Sequence, residues 1–195
     1  VEHVQGHFEV LLGIQHYMDS DGYKALASLQ CAREALPLRQ RRARLFADIF
    51  QLGAYQMVGD LETGLQIYHE AMRDGTSPEV VYNSAYLINL CHVYWMDADL
   101  KLLRHTAVSA LQVDKEKQLP ETIANAFYFL GIVHYHRNEM QKAEEKLATV
   151  VNEHHVISPM TFARSSFALS LTFQALEDPY KARETANAVV TDAIE

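Results

Sequence analysis

Apolar residues recur along this chain at intervals of three and four with polar residues between them, as in Leu26, Leu29, Ala32 and Leu36. That is the period of a helix with one buried face, and no run alternates strictly enough to read as a strand. Short polar clusters interrupt the pattern: Asp19-Ser20-Asp21-Gly22, Gly59-Asp60, Asp74-Gly75-Thr76-Ser77-Pro78, Asp97-Ala98-Asp99, Arg137-Asn138-Glu139, Ser158-Pro159 and Glu177-Asp178-Pro179. Between them the spacing predicts ten helices, at 2–18, 22–36, 41–58, 61–74, 78–96, 99–114, 120–137, 140–153, 159–176 and 180–194. Asp60 followed by Glu62, and Ser77 followed by Pro78 and Glu79, carry the chemistry of helix N-termini.

The pattern also repeats over a longer distance. A small or apolar residue just after a polar turn recurs at Ala25, Gly64, Leu103, Ala143 and Ala182, in steps of 39, 39, 40 and 39 residues. A period held this tightly predicts stacked units, since one helix pair cannot bury its own apolar faces until the next pair covers them. The expected fold is an all-α, right-handed superhelical solenoid of five antiparallel helix hairpins. It forms one repeat domain over 1–195, with units of about 1–39, 40–77, 78–117, 118–157 and 158–195. The second helix of each pair carries alanines (Ala25 and Ala32, Ala71, Ala107 and Ala110, Ala143, Ala182 and Ala186), which let helix axes come close.

Composition narrows the function. About half of the 195 residues are hydrophobic, with only 8 Gly and 5 Pro, which argues against disorder. A net charge of −8 repels phosphate backbones, so direct nucleic-acid binding is not expected. No apolar run approaches the length of a membrane span, and the opening VEHVQGHFEV lacks the basic and apolar regions of a signal peptide. Cys31 and Cys91, 60 residues apart in apolar helical stretches, are expected to be buried, reduced thiols of a cytoplasmic protein. The start on Val and the ending TDAIE read as a piece of a longer protein.

A search for chemistry finds little. None of the eight glycines is followed by Lys, so there is no P-loop, and H-E-x-x-H and G-x-S-x-G are both missing. His134 and His136 lie two apart on a helix and point to different faces, and His154 and His155 are adjacent at a helix end. Two distant cysteines make no zinc cluster. The expectation is therefore no catalytic residues, no metal and no cofactor. Arg39, Arg41, Arg42 and Arg44 form the one basic cluster, a candidate docking patch for an acidic partner or neighbouring domain.

Three stretches resemble tetratricopeptide units: Leu12-Gly13-x-x-His16; Tyr55 with Gly59-Asp60-Leu61-Glu62-Thr63-Gly64; and Leu130-Gly131-x-x-His134 with Asn138 to Ala143. The third and fifth copies depart from that pattern, with Cys91 and Ser170 in the glycine slot. Leu119-Pro120-Glu121, the run Tyr128 to Tyr135, and Ala143-Glu144-Glu145, on a period longer than the usual ~34 residues, are similar to the sensor region of MalT-like regulators of the LuxR family. The resemblance implies a switch ATPase before this region, a helix-turn-helix domain after it, and a role in sensing an effector. Carried over by slot, it places Tyr17, Gln56, Asn89, His92, Trp95, Tyr128, Tyr135 and His136 along a concave groove. Aromatic platforms beside polar groups there suit a small-molecule effector, a regulatory protein or a peptide, with self-association possible through the stack's ends. The alternative is a stand-alone interaction scaffold holding a peptide.

Overall fold

A computed structural model describes residues 2–74, 80–114 and 120–192. Among them are ten α-helices and no strand: α1 (Glu2–Met18), α2 (Gly22–Ala35), α3 (Arg41–Met57), α4 (Leu61–Asp74), α5 (Val80–Met96), α6 (Leu100–Asp114), α7 (Pro120–His136), α8 (Met140–Asn152), α9 (Pro159–Ala175) and α10 (Pro179–Asp192). A short 3-10 turn, His154–Val156, precedes α9. The protein is all-α, as the three-and-four spacing predicts. Asp60 caps α4 as expected, accepting the Thr63 amide, whereas the turn at Ser77, Pro78 and Glu79 lies outside the described residues.

The chain divides into two compact units, Val1–Tyr82 and Asn83–Glu195. In the first, α1 packs on α2, α2 on α3 and α3 on α4, and α1 also touches α3. Its core gathers Val10, Ala25, Leu29, Ala32, Leu36, Ala47 and Ala54. In the second, α6 through α10 pack in sequence order and α7 also touches α9. Phe129, Val133, Leu103 and Leu147 are sealed in that interior.

Five turns share one backbone design. Ser20, Gly59, Ala98, Asn138 and Glu177 all have φ between 58° and 82°, the left-handed region that costs a side-chain-bearing residue about 1–2 kcal/mol. The next residue in each turn, Asp21, Asp60, Asp99, Glu139 or Asp178, donates its amide 2.9 Å to the carbonyl of the residue five before it. This bond closes the end of the preceding helix. Four of those next residues then cap the following helix: Asp21, Asp60, Asp99 and Asp178 accept the amides of Lys24, Thr63, Leu102 and Lys181. Glu139 instead takes the His134 ring Nδ1 at 2.6 Å.

Close approach of paired helices depends on small residues. A Cβ on Gly13 would stand 2.5 Å from Leu29 Cγ, and one on Gly131 would stand 2.6 Å from Leu147 Cγ. In the pair α3 and α4 the small residue changes sides. Leu52 fills the slot on α3, while Gly64 on α4 leaves room for Leu52 and Tyr55. In α9, Ser170 occupies the same slot and its hydroxyl donates to the Ala182 carbonyl at 2.8 Å. Gly131→Ala is expected to destabilise the second unit by up to about 2 kcal/mol. Overpacking against Leu147 (about 1–3 kcal/mol) exceeds the gain of about 1 kcal/mol in helix propensity. Urea unfolding checks this, and unchanged stability would mean that Leu147 moves aside freely.

Two expectations are corrected here. Cys31 is free but exposed, and only Cys91 is buried; α2 buries the face bearing Ala25, Ser28, Leu29 and Ala32, and Cys31 lies off it. Ala186 is likewise exposed rather than packed.

Candidate ligand-binding site

All the features of the candidate site belong to the second unit. α5 ends in Tyr94-Trp95-Met96, and the left-handed turn at Ala98 returns the chain into α6. Trp95, Met96, Ala98 and Leu100 line a pocket of about 370 Å³ together with His136, the last residue of α7. Trp95 is 39 % exposed there. Tyr135 meets the His136 ring edge-on at 5.8 Å between centroids. Of the sequence-predicted residues, Trp95 and His136 thus share one pocket, with Tyr135 beside it.

A second cluster centres on Arg164 of α9. Its guanidinium lies 4.5 Å over the Tyr128 ring and 5.6 Å from that of Phe129. Nη2 donates to Asn125 Oδ1, and Nη1 lies 3.2 Å from His92 Nε2. A guanidinium can only donate, so Nε2 accepts and the His92 proton sits on Nδ1. His92 also meets Phe129 edge-on at 4.8 Å. Burial, reinforced by the Arg164 cation, holds the His92 imidazole down to about 4. Burial also lowers the proton affinity of Arg164, with Tyr128 and Glu121 opposing it. The guanidinium stays charged.

Glu121 anchors this cluster. Its carboxylate accepts the Ser158 amide at 2.7 Å, the Ser158 hydroxyl at 2.9 Å, the Thr161 hydroxyl at 2.6 Å and the Asn125 amide at 3.1 Å. Burial pushes the carboxyl up, but these hydrogen bonds outweigh it and hold the group below its ordinary range. Ser158 also caps α9 by accepting the Thr161 amide. One carboxylate at the start of α7 therefore fixes the start of α9, and through Asn125 it fixes the orientation of Arg164.

The remaining predicted residues fall elsewhere. Tyr128 was expected to offer its ring to a ligand, but it is 4 % exposed and Arg164 covers its face. Asn89 is half-buried on α5. In the first unit, Tyr17 packs edge-on against Phe50 at 5.3 Å and lies over Gly53, where a Cβ would be 2.9 Å from its ring. Gln56 is half-buried on α3. Of the basic cluster, Arg39, Arg41 and Arg42 are exposed. Arg44 turns inward and caps α2, with Nη1 donating to the carbonyls of Arg33 at 2.9 Å and Leu36 at 2.7 Å.

Sequence reasoning missed Arg164, Glu121, Asn125 and Thr161. A signal was available, because Arg164 is the one charged side chain between Pro159 and Leu176. Among the described residues no three metal-capable side chains converge, and no helix is long and apolar enough to cross a membrane. Comparison with protein-family models, with characterised proteins and with solved structures finds no match for the chain.

Proposed function

We propose that this chain is the effector-sensing and protein-interaction domain of a MalT-like regulator of the LuxR family. In this reading it is a superhelix of five antiparallel helix hairpins that docks an inducer or a regulatory protein. The observation that carries the reading is the recurrence of one turn. The left-handed residues stand 39, 39, 40 and 39 apart, each followed by the same helix-closing bond. The matching contacts of Gly13 with Leu29 and Gly131 with Leu147, each 16 residues on, support it from the packing side. Such arrays bind along a continuous face.

The pocket of Trp95, Met96 and His136 is the docking point in this proposal, because it combines apolar walls with one polar ring. The ligand shifts a resting form towards a self-associating one only by its difference in affinity for the two. Trp95 is the single tryptophan, so its fluorescence reports the pocket directly. Titration with a panel of sugars and small metabolites is expected to yield a ligand that perturbs this emission. Trp95→Ala is expected to weaken that ligand by tenfold or more, as for a buried aromatic anchor. Unchanged affinity would remove the pocket from the site. Binding of peptides alone would favour the interaction scaffold. A parent protein with neither a P-loop ATPase nor a helix-turn-helix domain would overturn the regulator reading.

A further inference from the structure

We infer that Arg164 is the receptor for a carboxylate, and that a small organic acid docks on its guanidinium within the second unit. The inference concerns a different side chain from the Trp95 pocket and holds for a sensor and a scaffold alike.

Among the described residues, Arg164 has no carboxylate partner; its polar partners are His92 and Asn125, both neutral acceptors. Glu121 is the acid that feels it, yet that carboxylate already receives four hydrogen bonds and reaches Arg164 only through the Asn125 amide. The first unit supplies an internal contrast, since Arg33, between α2 and α3, has Asp48 at 3.1 Å. Desolvated cations are normally paired in this way.

Two of the five guanidinium N–H groups are used by His92 and Asn125, and each of Nη1 and Nη2 keeps one more. Nε is sealed from solvent and has no hydrogen-bond partner. The Tyr128 ring beneath, and the chain of bonds from Glu121, hold the plane of the group in place. A guanidinium held in place and without a carboxylate in contact among the described residues matches a carboxylate, which takes two parallel N–H groups at once. A dianion fits less well, because one positive charge faces it and Glu121 stands nearby.

The test uses the whole chain and the Arg164 Nε–H resonance in a 15N correlation spectrum. Sodium acetate and sodium benzoate are titrated at constant ionic strength, with benzamide as the neutral analogue and inorganic phosphate as the competing anion. The expected result is a saturable shift with the carboxylates and none with benzamide. Arg164→Gln, followed through the Asn125 side-chain amide, is expected to lose at least tenfold in affinity. The wild-type titrations need no variant and decide the matter even if Arg164→Gln fails to fold. No saturable shift with either carboxylate, an equal shift with benzamide, or tighter binding of phosphate would overturn the proposal.

Discussion

Asp48→Ala is expected to cost the first unit about 3–5 kcal/mol, the range for breaking a buried ion pair by removing one partner. Asp48 is 5 % exposed and its carboxylate lies 3.1 Å from Arg33 Nε. Gln51 adds a neutral acceptor 3.3 Å from Arg33 Nη1, and Arg44 takes the Arg33 carbonyl. Both arginines therefore depend on one corner between α2 and α3. With Ala at position 48 the Arg33 cation keeps only neutral acceptors in a half-buried place. Asp48→Asn keeps the shape and is expected to cost less than Asp48→Ala. Urea unfolding followed by helix signal measures both. A cost below about 1 kcal/mol for Asp48→Ala would show that Arg33 swings into water instead.

Acidification from pH 7 to pH 4 is expected to remove up to about 3 kcal/mol from the second unit, most of it through His92. The folded imidazole is held down to about 4 against an ordinary 6.5, and each pH unit of such a gap is worth about 1.4 kcal/mol. Between those two values the unfolded chain takes up a proton that the folded chain refuses. Stability is therefore complete above about 6.5, falls as the pH drops towards 4, and loses nothing more from this group below that. Glu121 acts lower down. Its carboxyl is held below the ordinary 4.5, so its contribution is present above that value and is lost as the pH falls beneath it. His92→Gln keeps an acceptor for Arg164 and is expected to flatten the stability curve between pH 6.5 and pH 4 while leaving the lower limb. Parallel curves for wild type and variant would show that His92 does not titrate in a buried place. Asp21, Glu139 and Asp178 are also held low by their turn partners, but they are solvated and contribute little to this curve.

The helices were legible because their ends are written in local chemistry. Asp60 is a cap in sequence and in structure, Asp99 and Asp178 cap from polar turns that the sequence marks, and the residue before each turns left-handed where the chain reverses. The site was less legible. Trp95 and His136 share a pocket because both stand at helix ends, beside the turn at Ala98. Tyr128 was misplaced because packing and groove positions differ by about one step around a helix, and the side chain that decides the matter, Arg164, comes from another helix 36 residues later. Arg44 looked like part of a basic surface because charge shows in a sequence while the carbonyls that draw it inward do not.

The exchange of bulk between Leu52 and Gly64 has a consequence for how such a chain can change over time. In two other helix pairs the glycine sits on the first helix, at Gly13 and Gly131; in this pair it sits twelve residues later, on the second. Passing from one arrangement to the other takes two substitutions. In those two pairs the position matching Gly64 is Ala25 or Ala143, so placing Leu on the first helix before glycine arrives on the second would press Leu against an alanine methyl, an overpacking of about 1–3 kcal/mol. A lineage crosses that barrier only while the rest of its unit has stability to spare. Positions 52 and 64 are therefore coupled, and substitutions at the two are expected to be non-additive in stability.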